Sequence, residues 1–232
     1  MLILALDSTA VVASVALCND GTPIAQFTVK NGNTHSETLL PMVESVLKTA
    51  GITVDDVDLF ACSVGPGSFT GVRIGVSTVK GLAFGKNKPC VAVSTLEALA
   101  ENLIPAKGIL CPVMNARRGQ VYNALFRYEN GTLVRLCADR ALAVSELEEE
   151  LLAMGEPVFF SGDGVDEIKR LATRIVPEGI CDLLVDQNAV SVAKCAHRAY
   201  LRGEICTDAE LKPIYLRLPQ AERERLEKMK NT

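Results

Sequence analysis

The order of predicted strands and helices in the first half of the chain is repeated in the second half, and this repeat constrains the fold most strongly. Continuous or alternating apolar runs predict strands, and one-sided apolar spacing predicts helices. The first half has the order βββαβαβα. Its predicted segments are strands 2–8, 11–17, 23–29, 57–64 and 89–94 and helices 36–50, 70–85 and 95–103.

The second half has the same predicted order. Its segments are strands 108–116, 120–128, 133–141, 157–162 and 180–185 and helices 144–154, 165–175 and 191–203. Strands joined by hairpins and followed by βαβ crossovers form a mixed sheet covered by helices. We therefore predict an α/β protein of two similar lobes. Residues 1–105 form the N-terminal lobe, and residues 106–232, with a charged C-terminal tail, form the C-terminal lobe.

Capping residues support two of the helices. Ser36 is the predicted N-cap of helix 36–50, and Gly51 is its predicted end. Ser145 is the predicted N-cap of helix 144–154, where Glu148 would complete a capping box.

Composition and charge exclude several classes of protein. The 24 basic and 28 acidic residues give a formal net charge of −4, which argues against a protein that grips nucleic acid on its own. The start, MLILALDST, resembles a buried strand and lacks the basic region of a signal peptide, and no apolar run is long enough to span a bilayer. The 8 cysteines are scattered without a CxxC pair, which favours free thiols in a reducing cytoplasm. We expect a cytoplasmic protein with no membrane contact.

Three turns that follow strands have the residues of an anion-binding loop. Glycines expose backbone N–H groups, and a helix N-terminus adds positive potential. Each turn alone is weak evidence, because glycine turns mostly serve backbone geometry. The candidate nucleotide-binding residues are Asp7, Ser8, Thr9, Gly65, Gly67, Ser68, Gly162, Asp163 and Gly164.

Glycines also recur inside the predicted helix 70–85. Gly71 and Gly75, and again Gly81 and Gly85, are four residues apart. Each helix-interior glycine costs about 1 kcal/mol relative to alanine, so this series predicts a compensating close contact with another helix.

Eight short strings, in order along the chain, resemble the TsaB family, formerly YeaZ. They are LALDST, HSETLLP, GPGSFTGVRIG, KGLAF, VSTLEALA, NARRGQVY, FSGDG and KPIYLR. One departure is Asn115, where the family more often has aspartate. The resemblance implies two ribonuclease H-like lobes of the actin, sugar-kinase and Hsp70 (ASKHA) superfamily. It also implies a non-catalytic scaffold for threonylcarbamoylation of adenosine 37 in ANN-decoding tRNAs.

Catalytic relatives bind a metal through two histidines four apart on a helix. In the matching stretch of this chain, those positions are Thr95 and Leu99, with Glu97 between them. The chain's 2 histidines, His35 and His197, are far apart in the sequence. We therefore expect no metal site, no cofactor and no catalysis, as in a pseudoenzyme.

Two enzymatic alternatives stay open. An independent ASKHA-fold ATPase or small-molecule kinase could use Asp7 or Asp163 as its carboxylate. A glycoprotease-like peptidase could use Ser68, but the sequence identifies no His–Asp pair to activate it.

The resemblance also implies a TsaD-like catalytic subunit as partner, a TsaE-like ATPase in the same complex, and a homodimer when the chain is alone. Contact with tRNA would be indirect or weak. The two helices 36–50 and 70–85 supply the expected docking surface, and substitutions such as Val76→Glu or Leu47→Glu are expected to abolish pairing without unfolding the monomer. The candidate contacts are Leu39, Leu40, Met42, Val43, Val46, Leu47, Val72, Ile74, Val76 and Val79.

Overall fold

The first sheet is mixed and has the order β3-β2-β1-β4-β5 in the computed structural model, which describes residues 1–32, 34–175 and 185–217. β1 pairs antiparallel with β2 and parallel with β4, as a hairpin followed by a βαβ crossover requires. The strands are β1 (Leu2–Asp7), β2 (Ala13–Asn19), β3 (Thr22–Val29), β4 (Leu59–Ser63) and β5 (Cys90–Val93).

Within the described residues, the second sheet repeats the first four strand positions of this arrangement, with interrupted strands. β6 pairs with both β7 and β8 in a single register, since Val113 faces Asn123 and Leu110 faces Phe126. The predicted strand 120–128 is therefore divided in two, and strand 133–141 is divided in the same way. On its other edge β6 pairs parallel with β11. The strands are β6 (Ile109–Arg117), β7 (Gln120–Asn123), β8 (Phe126–Glu129), β9 (Thr132–Arg135), β10 (Arg140–Ala143) and β11 (Val158–Ser161).

The described helices follow the predicted positions, although their ends differ by a few residues. They are α1 (His35–Ala50), α2 (Phe69–Ala83), α3 (Thr95–Glu101), α4 (Val144–Met154), α5 (Val165–Leu171) and α6 (Ala189–Leu201), with a short 3₁₀ helix at Val54–Asp56. Within the described residues, no helix is long and apolar enough to cross a bilayer. Most of the predicted strand 180–185, and the C-terminal tail from residue 218, lie outside the described residues.

Two of the predicted caps are wrong. The N-cap of α1 is Thr34, and Ser36 lies inside the helix. The N-cap of α4 is Ala143, whose backbone N–H donates to Glu146 Oε2. Glu148 instead accepts backbone N–H groups from the segment after α5. Gly51 ends α1 in the left-handed conformation, as predicted.

Both faces of the first sheet are buried. On one face, Leu4 and Leu6 of β1 pack in a core shared with the inner faces of α1 and α2. On the other face, Ile3 and Ala5 pack with small residues of α6 and with Ala98 of α3. Although α6 belongs to the second half of the sequence, it therefore lies on the first sheet, and the predicted division after residue 105 does not describe its packing.

The segment that follows α6 also returns to the first lobe. The backbone groups of Cys206 and Cys90 exchange two hydrogen bonds at the edge of β5. Further along, the N–H of Ile214 donates to the carbonyl of Val64, at 2.7 Å. This places residues 214–217 across the end of β4 and the start of α2.

Candidate functional site: an interlobe cleft and a groove between two helices

The glycine-rich turn after β4 is shaped by close contact with the turn after β1. A Cβ at Gly67 would lie 2.5 Å from the carbonyl oxygen of Thr9, and a Cβ at Gly71 would lie 2.0 Å from that of Ser8. The Ser8 hydroxyl donates to the Gly71 carbonyl at 2.9 Å. These glycines are therefore required by backbone packing inside the lobe.

The remaining glycines of the series, Gly75, Gly81 and Gly85, are not in close contact with another described helix of this chain. A Cβ at Gly75 would meet the Ser8 hydroxyl, whereas one at Gly81 would meet nothing within 4 Å. Gly85 lies beyond the end of α2 with a positive φ of 72°. The predicted helix-to-helix contact through all four glycines is wrong. The first two face a turn, and Gly81 is exposed to solvent.

A cleft of about 550 Å³ lies between the lobes. Of the predicted nucleotide-binding residues, Thr9, Gly67, Ser68 and Asp163 line this cleft. The other five lie behind its walls, and their backbone or side chains are used in internal packing; they are Asp7, Ser8, Gly65, Gly162 and Gly164.

Asp7 is committed to internal hydrogen bonds. Its Oδ1 accepts the backbone N–H and hydroxyl of Thr9, and its Oδ2 accepts the Ser63 hydroxyl. Burial raises the pKa of the Asp7 carboxyl, and these hydrogen bonds oppose that rise only in part. The side chain does not line the cleft, so it is poorly placed to hold a metal-bound substrate there.

Asp163 is the acidic residue of the cleft wall. Its Oδ1 accepts the backbone N–H of Asn115 at 3.1 Å. Desolvation by the surrounding protein atoms raises the pKa of the Asp163 carboxyl, and the Asn115 hydrogen bond opposes this rise. The turn is tight because Gly162 and Gly164 lie directly against the backbone of β6.

Four cleft-lining residues were not predicted from the sequence as site residues. Tyr122 and Arg117 come from the second lobe, and Tyr215 and Arg217 come from the returning C-terminal segment. Arg217 donates to the carbonyl of Ala116 and lies over the Tyr122 ring. The strings NARRGQVY and KPIYLR contained these residues, but only the fold brings them together.

The two positions at which the resemblance implies metal-binding histidines in catalytic relatives are buried in this chain. Thr95 and Leu99 are buried in α3, and Glu97 pairs with Arg135. The histidines lie elsewhere. His35 Nε2 is 2.6 Å from the carbonyl oxygen of Ala10, and His197 is 3.6 Å from Asp20. No cluster of three metal-ligating side chains occurs among the described residues.

Ser68 has a structural role. It is the N-cap of α2, and its hydroxyl accepts the backbone N–H of Gly71 at 3.3 Å. Since both histidine rings face other groups, neither histidine is placed to act as a general base for Ser68.

A second concavity, a groove of about 710 Å³, lies between α1 and α2. Its apolar residues are Leu40, Phe69, Ile74 and Leu82, and half of the Leu40 side chain is exposed. The full lining is Ser36, Leu40, Phe69, Thr70, Arg73, Ile74, Ser77, Thr78, Gly81 and Leu82.

Comparison with known proteins assigns the family. The family model described as TsaD, tRNA N6-adenosine threonylcarbamoyltransferase, matches residues 30–224. The tRNA threonylcarbamoyladenosine biosynthesis protein TsaB of Bacillus subtilis is 33% identical over 99% of this chain and 100% of its own length. The chain belongs to the TsaB family. Its α/β fold, with two sheets covered by helices, is therefore that of a TsaB-family protein.

Two further similarities extend this result. A Pseudomonas aeruginosa structure described as an uncharacterized protein similar to peptidase YeaZ superposes with a TM-score of 0.80, at 30% identity, covering 93% of this chain and 99% of that one. The tRNA N6-adenosine threonylcarbamoyltransferase of Sphingopyxis alaskensis is 48% identical over 66 residues, which are 28% of this chain and 19% of that enzyme. The TsaB-family chain is thus similar to a transferase over this 66-residue segment.

Most of the ten residues predicted to contact a partner are buried in this TsaB-family chain. Among the ten, only Leu40 is exposed, and Ile74 is half-buried. The other eight side chains pack in the core between the helices and their own sheet, so the expectation that they meet a partner is corrected; they are Leu39, Met42, Val43, Val46, Leu47, Val72, Val76 and Val79. Glutamate at Val76 or Leu47 would disrupt that core.

Proposed function

We propose that the chain is a non-catalytic scaffold subunit that pairs with a TsaD-type catalytic subunit in the threonylcarbamoylation of adenosine 37 of ANN-decoding tRNAs. The observation that carries this proposal is the open apolar groove between α1 and α2, which lies on helices whose opposite faces are fixed in the core. A surface held in this way is pre-organised for docking, because little conformational freedom is lost when a partner covers it.

The groove has the composition of an interface. Leu40, Ile74 and Leu82 give it an apolar floor. Ser77, Thr78 and Gly81 are small residues, which allow a helix to approach closely. A standard interface buries about 800 Å² on each partner, which two helices can supply. A relative with the same two helices is the simplest partner for such a surface.

A scaffold role also agrees with the positions at which a catalytic relative would hold its metal. Thr95 and Leu99 are buried structural residues, and Asp7 is used inside its own lobe. A subunit of this kind acts by binding one conformation of its partner better than another. We place the scaffold in the cytoplasm with a TsaE-like ATPase in the complex, a homodimer when it is alone, and at most indirect contact with tRNA.

The test is Leu40→Glu, with Leu152→Glu as matched control. Leu152 is a similarly exposed leucine on α4 of the other lobe. A glutamate at Leu40 would bury a charge in the groove, so pairing with the TsaD-type subunit in sedimentation experiments should fall by at least about 100-fold, while thermal unfolding changes little. Reconstituted tRNA modification should fall in parallel.

The proposal fails if Leu40→Glu pairs and supports modification as the native chain does. It also fails if Leu152→Glu is equally impaired, because the loss would then not depend on the groove.

The cleft favours a second candidate, an independent ATPase or small-molecule kinase, because Asp163, Gly67 and Ser68 line a cavity of suitable size. Calorimetry of the isolated chain with ATP and magnesium tests it. Tight binding with turnover would support this candidate, and turnover that is absent while the reconstituted complex is active would exclude it.

A further inference from the structure

Arg73 lines the groove and contacts Phe69 and Tyr215, which also line the cleft. Its guanidinium carbon is 3.8 Å from the centre of the Phe69 ring, and its Nε donates to the Tyr215 hydroxyl at 2.8 Å. Phe69 and Tyr215 are themselves stacked, with ring centres 4.7 Å apart. The arginine side chain is therefore held against an aromatic platform.

The platform is anchored on both sides. Phe69 is the first residue of α2, and the neighbours of Tyr215 are tied down by the hydrogen bonds from Ile214 to Val64 and from Arg217 to Ala116. Because Nε donates to the Tyr215 hydroxyl and the guanidinium lies over the Phe69 ring, rotation of the guanidinium is restricted. Among the described residues, the two terminal nitrogens of the guanidinium make no hydrogen bond and no ion pair.

Arg73 is also the only charged residue among the ten that line the groove. A partner that covers the groove removes this cation from water. Burying an unpaired charge is strongly unfavourable, whereas a guanidinium paired with a carboxylate through two parallel hydrogen bonds retains its interactions. A wholly apolar partner helix would therefore bind poorly here.

We infer that Arg73 is the receptor for a carboxylate on the docking helix of the partner protein, and that this pair sets partner specificity. The inference rests on the proposed docking function and names the chemistry of the partner: an apolar helix that carries an aspartate or glutamate near one end of its contact stripe. Arginine suits this role better than lysine, since its planar fork matches a carboxylate.

The test measures the affinity of the full-length chain for the full-length TsaD-type subunit at several salt concentrations. Arg73→Lys keeps the positive charge but lacks the planar guanidinium that can donate two parallel hydrogen bonds, so this variant should bind the TsaD-type subunit about tenfold more weakly. Arg73→Glu should bind at least about 100-fold more weakly, and reversal of one acidic residue on the partner's docking helix should restore binding. Tyr215→Phe, which frees the Arg73 Nε, should give a smaller loss.

Lys107→Glu is the control for a general charge effect, since Lys107 is an exposed cation outside the groove. The inference is overturned if Arg73→Lys and Arg73→Glu both bind within about twofold of the native chain while Leu40→Glu abolishes pairing. It is also overturned if Lys107→Glu weakens pairing as much as Arg73→Glu. If Leu40→Glu has no effect, the docking function itself fails, so the two failures are distinguishable.

A second copy of this chain is the alternative source of the carboxylate. Glu37 and Glu44 are exposed on α1 and make no ion pair among the described residues. If reversal of Glu37 or Glu44 rescues self-association of Arg73→Glu, while no reversal on the TsaD-type subunit rescues the heterodimer, the assignment of the partner is overturned.

Discussion

Replacing Gly71 by alanine tests whether the glycine-rich stretch serves packing within the lobe. The new Cβ would lie 2.0 Å from the carbonyl oxygen of Ser8, where ordinary contacts begin near 3.4 Å. The position of a Cβ is fixed by its own backbone, and the oxygen is a backbone atom, so no side-chain rotation can relieve the clash. The first turn of α2 would have to move away from the turn after β1 by about 1 Å or more.

This movement has a calculable consequence. Overpacking of a rigid site costs about 1–3 kcal/mol, and separation would also weaken the buried hydrogen bond from Ser8 to Gly71, worth about 1–3 kcal/mol when a group is left unsatisfied. The helix propensity of alanine returns about 1 kcal/mol. We therefore expect Gly71→Ala to lower the free energy of unfolding by about 3 kcal/mol, with a fall in melting temperature of about 6–12 °C.

Gly81→Ala is the matched control in the same helix. An added Cβ there meets nothing within 4 Å, so the substitution should raise the free energy of unfolding by about 0.5–1 kcal/mol. Urea and thermal unfolding of both variants measure the contrast. If Gly71→Ala is as stable as the native chain, the backbone-packing account of the glycine stretch is refuted.

Two further predictions concern ionisation. Backbone N–H groups of Arg174, Ile175 and Thr173 hold the pKa of the Glu148 carboxyl below its ordinary value of 4.5. The ionised Glu148 carboxylate therefore stabilises the folded chain above pH 4.5, and this stabilisation is lost as the pH falls through the lowered pKa. Glu148→Gln should therefore be less stable than the native chain at neutral pH, with a difference that shrinks in acid; a difference independent of pH would contradict this. Five cysteines are buried, and burial raises the pKa of their thiols, to about 11 at Cys18 and about 12 at Cys90. Alkylation read by mass spectrometry should therefore modify them only after unfolding, and rapid native-state labelling would contradict the fold. The five are Cys18, Cys62, Cys90, Cys111 and Cys195.

Within the described residues, the order of the predicted elements could be predicted from sequence because their local patterns are strong; the predicted strand 180–185 lies largely outside those residues. The breaks in the second sheet could not be predicted in this way. Ala124 and Leu125 are buried and apolar, as residues of a central strand would be, but their backbone leaves the ladder after β7, and pairing resumes at β8. Such interruptions depend on pairing with a neighbouring strand, which the local sequence does not record.

Local sequence patterns also could not predict which of the two sheets α6 packs against. Its small apolar residues, such as Ala193 and Ala196, suit a helix lying close to a sheet, but either sheet would satisfy that pattern. Arg198 of α6 pairs with the largely buried Glu101 of α3, and Asn188 at its start bonds Gln26 of β3. These long-range polar contacts accompany its packing on the first sheet.

The candidate groove shows why apolar periodicity overstates an interface. The spacing of Val72, Val76 and Val79 on α2 identifies an apolar helix face, and the chain's own sheet covers that face. The outward face has Arg73, Ile74 and Gly81, a mixed set with no apolar period. A helix that must satisfy both a core and a partner places its strongest apolar residues inward, so the partner-facing residues are those with weaker patterns. A search for docking residues in this family should therefore begin with the polar and small positions between the buried ones.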